Sequence, residues 1–165
     1  MPREAKSKDR EPKTNAMRFL ETHGVSYTSR PYPCDEFIDG VTMAEAAGIP
    51  LPQTFKTLVA RSRPHVLYVF AIPVAEELDM KKAARAVGEK SVELLPVKEL
   101  LANTGYIRGC CSVVGMKKQF PTVIASSALQ FETIFLSGGK KGMFIEVSPR
   151  EIAGVIGAEF GDITV

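Results

Sequence analysis

Apolar and polar positions alternate along this chain in short blocks with distinct periods, and the breaks between blocks carry recognisable stop signals. Thr14 stands where a helix N-cap belongs, Met17 and Leu20 then fall on one helical face, and Gly24 after His23 supplies a C-terminal stop. A strand is expected from Val25 to about Tyr32. Thr42 and Glu45 have capping-box spacing, which predicts a short helix from Thr42 through Ala46, ending near Gly48, with Pro50 and Pro52 preventing continuation. Thr54 to Ala60 and His65 to Ile72 read as the two strands of an antiparallel hairpin around Arg61-Ser62-Arg63-Pro64. In the second of these strands Val66, Tyr68 and Phe70 share one face and Leu67 and Val69 the other.

Asp79 can cap a helix through Lys81, Ala84 and Val87 to Gly88. Val92 to Leu95 then reads as a short strand, and a further helix is expected from Pro96 to just before Gly105. Thr122 to Ala125, Thr133 to Leu136 and Met143 to Val147 complete the strands, the last two joined by the glycine-rich turn Gly138-Gly139-Lys140-Lys141-Gly142. Ser148 and Glu151 form another capping box, with Pro149 at the first helical position and Gly157 as the stop. Strands and helices do not alternate strictly, so the pattern predicts an α+β fold with a mixed, largely antiparallel sheet and surrounding helices rather than a doubly wound sheet.

Residues 1–13 carry many charges and almost no apolar side chain, which predicts a flexible N-terminal tail ahead of a single domain at 14–165. With 165 residues, 45% of them hydrophobic, that domain can bury a real core. A net charge of only +2 argues against a dedicated DNA-binding domain, so any nucleic-acid contact should be local. Apolar runs such as Val66 to Ile72 are too short to span a membrane, and the amino terminus has no signal-peptide core. Cys34, Cys110 and Cys111 form no metal-site spacing and fit reduced thiols in a cytoplasmic protein. Neither a metal nor a cofactor is expected.

Lys56 interrupts an apolar strand on the side of Leu58 and Ala60. Two readings suit it: a lysine that snorkels out of an edge strand, or an ammonium that grips a phosphate or ribose oxygen in a cleft. Ser137 to Gly142 could cradle an anion with its amides and lysines or could be a plain hairpin turn. Gly109 to Gly115 could set amides beside a developing oxyanion or could be a tight bend of small buried residues. Neither His23 nor His65 has a sequence relation to a cysteine, and the motifs of serine hydrolases, zinc enzymes and dinucleotide-binding proteins are lacking.

Taken in order, Phe55-Lys56-Thr57-Leu58, Pro73-Val74 through Leu78-Asp79-Met80-Lys81-Lys82, Thr104-Gly105-Tyr106, Gly109 to Gly115 with Lys117-Lys118, and Leu136-Ser137-Gly138-Gly139-Lys140-Lys141-Gly142 resemble the YbaK/EbsC family over about residues 14–163. The resemblance implies a sheet partly rolled into a barrel around a cleft for the aminoacylated end of transfer RNA. It implies trans-editing hydrolysis of a misacylated tRNA ester, cysteinyl-tRNA for proline above all, with prolyl-tRNA synthetase as a possible partner. A pocket sized for proline cannot strongly reject similar or smaller side chains, since a methylene is worth only about 1–3 kcal/mol, so a second site must remove the errors.

Carried over residue by residue, the resemblance makes Lys56 the key group, binding the terminal nucleotide and orienting the ester, and places Gly109 at the reacting carbonyl. Ser137 and Gly138 would line the cleft and Tyr32 would pack against substrate. The family mechanism for cysteine substrates uses the substrate thiol as nucleophile. Cys34, Cys110, Val113 and Phe144 depart from the family's usual histidine, glycine, proline and aspartate. Cys110 and Phe144, taken as substrate-binding positions, could narrow the site toward alanine or abolish activity, which leaves alanyl-tRNA hydrolysis and a non-catalytic tRNA- or synthetase-binding module as alternatives. A redox role for Cys110 and Cys111 stands behind these.

Overall fold

The computed structural model describes residues 13–34, 39–63 and 66–165. The charged segment 1–12, Pro64 in the hairpin turn, and the first residue expected in the second hairpin strand, His65, lie outside the described residues.

Helix α1, Asn15–Thr22, begins where Thr14 accepts a hydrogen bond from the Met17 amide at 3.1 Å. It presents Ala16, Met17 and Leu20 to the core and is followed by Gly24 at φ +72°. Strand β1, Tyr27–Pro31, follows. Helix α2, Gly40–Ala47, starts earlier than the capping box at Thr42 predicts. Asp39 is its N-cap and accepts the Thr42 amide at 2.8 Å, so Thr42 is the third residue inside the helix rather than its cap. Both residues suit an N-cap, and the local pattern alone does not rank them.

Strands β2, Phe55–Arg63, and β3, Val66–Pro73, form the expected antiparallel hairpin, with Lys56 opposite Ile72. Helix α3, Met80–Ala86, is capped by Asp79, which accepts the Lys81 and Lys82 amides. Strand β4, Glu93–Leu94, is short. The single helix expected from Pro96 is instead a 3-10 turn, Val97–Glu99, leading into helix α4, Leu100–Thr104, closed by left-handed Gly105. Strands β5, Thr122–Ala125, β6, Ile134–Ser137, and β7, Met143–Val147, lie within two residues of their expected places. Helix α5, Pro149–Ile156, carries the Ser148 cap, and strand β8, Glu159–Gly161, is an element the hydrophobic pattern does not announce.

The fold is mixed α+β, but its strands divide between two sheets. One has the order β1-β7-β6 and is antiparallel. The other has the order β4-β2-β3-β5-β8, antiparallel except where β5 runs parallel to both β3 and β8. A parallel bridge between Thr54 and Phe135 links the two.

Strand alternation then sorts the side chains of β6 and β7 into two apolar clusters. Ile134, Leu136, Ile145 and Val147 join the main core with Phe55, Phe70, Ile72 and the inward faces of α1, α3 and α5. Phe135 and Phe144 point the other way, into a smaller cluster with Tyr32, Ala44, Ile49 and Val74 beneath α2. That second cluster is the floor against which the candidate site is built.

Candidate functional site

The geometry of the site follows from the edge of β2. In an antiparallel pair, successive residues direct their main-chain groups to opposite sides. The Val74 amide donates to the Thr54 carbonyl at 2.8 Å on the β3 side, whereas the Leu95 amide donates to the Val59 carbonyl at 2.8 Å on the other. By this alternation Thr57 turns its N–H and C=O away from β3, as Val59 does. β4 pairs with β2 only at Ala60 and Arg61, and the bridge to β6 sits at Thr54, so the edge between them borders a cavity of about 360 Å³.

Five of the seven residues singled out from the sequence line this cavity: Tyr32, Lys56, Gly109, Ser137 and Phe144. Lys56 is half-buried in its wall, on the strand directly after the fully buried Phe55. Tyr32 and Phe144 form an apolar end, with ring centroids 5.0 Å apart and the Tyr32 hydroxyl donating to Met43 Sδ at 3.0 Å. Burial, chiefly, raises the pKa of the Tyr32 phenol, so it is protonated at neutral pH. Gly109 sits at φ +84° in a turn closed by the Cys110 amide donating to the Ile107 carbonyl at 3.0 Å. Glycine suits the third position of such a turn because positive φ there brings no Cβ clash.

Cys110 and Gly138 stand behind the wall rather than in it. Cys110 is buried with 2% exposure, and it is Cys111 that borders the cavity. Of the two adjacent cysteines, Cys111 and not Cys110 is in the cavity lining. Gly138 is buried too, its amide donates to the Met143 carbonyl at 2.8 Å, and a Cβ on it would come within 2.7 Å of Met143 Cγ. The Gly139 amide donates to Ser137 Oγ at 3.1 Å, so two amides of the presumed anion cradle are already committed inside the turn. The Cys110 amide is committed likewise.

Ser137 Oγ also donates to the Cys110 carbonyl at 2.9 Å. One hydroxyl thus fastens the β6–β7 turn to the 105–116 loop, and Tyr106 braces the same loop by donating to the Val114 carbonyl at 2.6 Å. The two buried thiols, Cys110 and Cys111, are poor nucleophiles here. Burial pushes Cys111 up to about 12 and raises Cys110 as well, with Lys141 opposing the latter shift. Among the described residues no group of three histidine, cysteine or acidic side chains is placed to hold a metal ion.

The sequence reading missed several groups at the cavity. Asp39 and Gly40 enter from the start of α2, Leu94, Leu95 and Val97 from β4 and the turn after it, and Arg108 from the loop. Leu94 and Val97 are about half exposed, at 50% and 56%, so they form an apolar rim. The Asp39 carboxyl is held below the usual carboxylate range, first by the Thr42 amide and further by the nearby Lys56 charge. No helix among the described residues is long and apolar enough to cross a membrane.

Residues 39–162 match the family model of the aminoacyl-tRNA editing domain. The chain is 46% identical over 153 residues to a protein of Enterococcus faecalis named "Putative Cys-tRNA(Pro)/Cys-tRNA(Cys) deacylase EbsC", spanning 92% of this chain and 93% of that one. Its fold matches a structure described as a "putative trans-editing enzyme for prolyl tRNA synthetase" at TM-score 0.79 and 24% identity, covering 94% and 99% of the two chains. It also matches hypothetical protein APE2540 at TM-score 0.83 and 21% identity, covering 92% and 99%. At such identities these two likenesses concern the fold alone. On the extent of the domain match and of the identity to the enterococcal protein, the chain belongs to the aminoacyl-tRNA editing domain family.

Proposed function

We propose that this chain is a cytoplasmic, trans-editing aminoacyl-tRNA deacylase that hydrolyses the ester of misacylated tRNA for proline, with cysteinyl-tRNA as its substrate. The observation that carries the reading is Lys56, a cation half-buried in the wall of a cavity that also holds Gly109 and the Tyr32–Phe144 pair. Lys56 grips the terminal nucleotide and fixes the ester beside the Gly109 turn. The apolar end is suited to a small side chain. Identity to the enterococcal deacylase supports the substrate class.

A nucleophile supplied by the substrate, as the resemblance implies for cysteine substrates, agrees with the state of Ser137 and of the two buried thiols. Ser137 Oγ is engaged with Cys110 and Gly139, and both buried thiols are held protonated. The cysteinyl thiol would attack its own carbonyl carbon, the ester C–O bond would break, the thiol proton would leave with the ribose oxygen, and water would then open the cyclic thioester to free cysteine. Positioning of these atoms is then the enzyme's main contribution.

Residues 14–165 are read as one editing domain, with the Thr54–Phe135 bridge as the seam of a partly rolled barrel and prolyl-tRNA synthetase as a partner that delivers substrate. The test is deacylation of cysteinyl-tRNA for proline by the parent protein and by Lys56→Ala. Loss of one charged contact, worth about 1.5–3 kcal/mol, predicts a fall of about ten- to a hundredfold in kcat/KM. Equal rates for the two proteins would refute the assignment.

A further inference from the structure

An aminoacyl ester differs from a plain ester by its α-ammonium, and the cavity offers one matching group. Among the described residues, Asp39 is the one carboxylate that borders it. From this juxtaposition we propose that Asp39 binds the α-ammonium of the aminoacyl moiety and so selects free aminoacyl esters over esters that lack that charge. The inference rests on the deacylase reading and extends it to a residue that no sequence motif singled out.

The geometry suits the division of labour. Asp39 is fixed at the N-terminus of α2, where Oδ1 accepts the Thr42 amide at 2.8 Å. The Thr42 side chain and the Val41 amide also favour the charged carboxylate, which with about four lone-pair sites keeps acceptor capacity for a ligand. The positive end of the α2 dipole, equivalent to roughly half a charge, does not cancel a full negative charge on the side chain. Lys56 faces the same cavity and its charge is felt by Asp39, so cation and anion are presented together. The substrate terminus is complementary, with phosphate and ribose oxygens for Lys56 and an ammonium for Asp39. Arg108 is the other cation of the lining, and Asp39 is the one carboxylate there among the described residues.

Asp39 is exposed, so its ion pair is expected to change kcat/KM by no more than about fivefold. The test compares the cysteinyl ester with the 3-mercaptopropionyl ester of the same tRNA, which keeps the thiol and lacks the ammonium without adding bulk. Parent protein, Asp39→Asn and Asp39→Ser are measured together, since asparagine and serine both preserve helix capping. The preference of the parent for the cysteinyl ester is expected to exceed that of either variant by about fivefold, the variants reporting the intrinsic reactivity difference of the two esters. Binding of hydrolysis-resistant amide analogues of the two esters reads the same ratio if a variant turns over too slowly. An unchanged preference in the variants overturns the role of Asp39 while leaving the deacylase reading intact. No turnover of either ester by the parent overturns both.

Discussion

Replacing Ser137 with alanine separates two uses of its hydroxyl: fastening two loops together or attacking the ester. The structure supports fastening, through bonds of 2.9 Å to the Cys110 carbonyl and 3.1 Å from the Gly139 amide. Each hydrogen bond has a net worth of about 0.5–1.5 kcal/mol, so the variant should lose about 1–3 kcal/mol of stability. At this chain length a loss of 1 kcal/mol lowers Tm by about 2–4 °C, which predicts a drop between about 2 and 12 °C. Deacylation should slow only as far as the loosened Gly109 loop misplaces the ester, a penalty of about a hundredfold for a displacement near 1 Å. Removal of a true serine nucleophile costs on the order of a millionfold. Thermal unfolding by circular dichroism, read beside single-turnover hydrolysis, distinguishes the cases. An unchanged Tm together with a rate loss beyond about ten-thousandfold would refute the fastening argument.

Gly115→Ala and Gly157→Ala form a second test, since both positions have positive φ but only the first is crowded. A Cβ at Gly115 would lie 2.6 Å from the Tyr106 hydroxyl and 2.7 Å from the Ala16 amide nitrogen, whereas nothing lies within 4 Å at Gly157. Urea unfolding should show a loss of about 2–5 kcal/mol for Gly115→Ala and about 1 kcal/mol for Gly157→Ala. Alkaline pH should weaken the fold: Cys111 and Tyr27 are each pushed up to about 12, mainly by burial, so the unfolded chain ionises them first and binds fewer protons. Stability is expected to fall as pH rises from about 9 toward about 12, and Cys111→Ala should flatten that slope in urea midpoints measured across the range.

Local chemistry made much of this fold legible in the sequence. Thr14, Asp79 and Ser148 cap their helices because the partner amides lie only two or three residues on, and Gly24, Gly105 and Gly157 adopt positive φ at helix ends for the same local reason. Lys56 could be singled out because a charge in an apolar strand stands against its neighbours. The two-residue period of β6 and β7 likewise separates Leu136 and Ile145 from Phe135 and Phe144. Thr42 misled because it and Asp39 are both able to cap, and only the folded backbone turned Asp39 outward to meet its amide.

Tertiary structure decided what no local pattern encodes. Parallel pairing of β5 with β3 and β8 joins segments far apart in the chain, and three residues of β8 are too few to announce themselves by period. Main-chain donors of the glycine-containing loops were spent on partners that the folded loops supply, which removed the Cys110, Gly138 and Gly139 amides from the list of open anion ligands. Whether Cys110 or Cys111 faced the cavity depended on the path of a loop without regular period. Asp39 came to share a cavity with Lys56 only when α2 settled over the second apolar cluster. Residue types and caps are short-range properties of the chain; which of them meet across a cleft is set by long-range packing, where distance along the sequence carries no information.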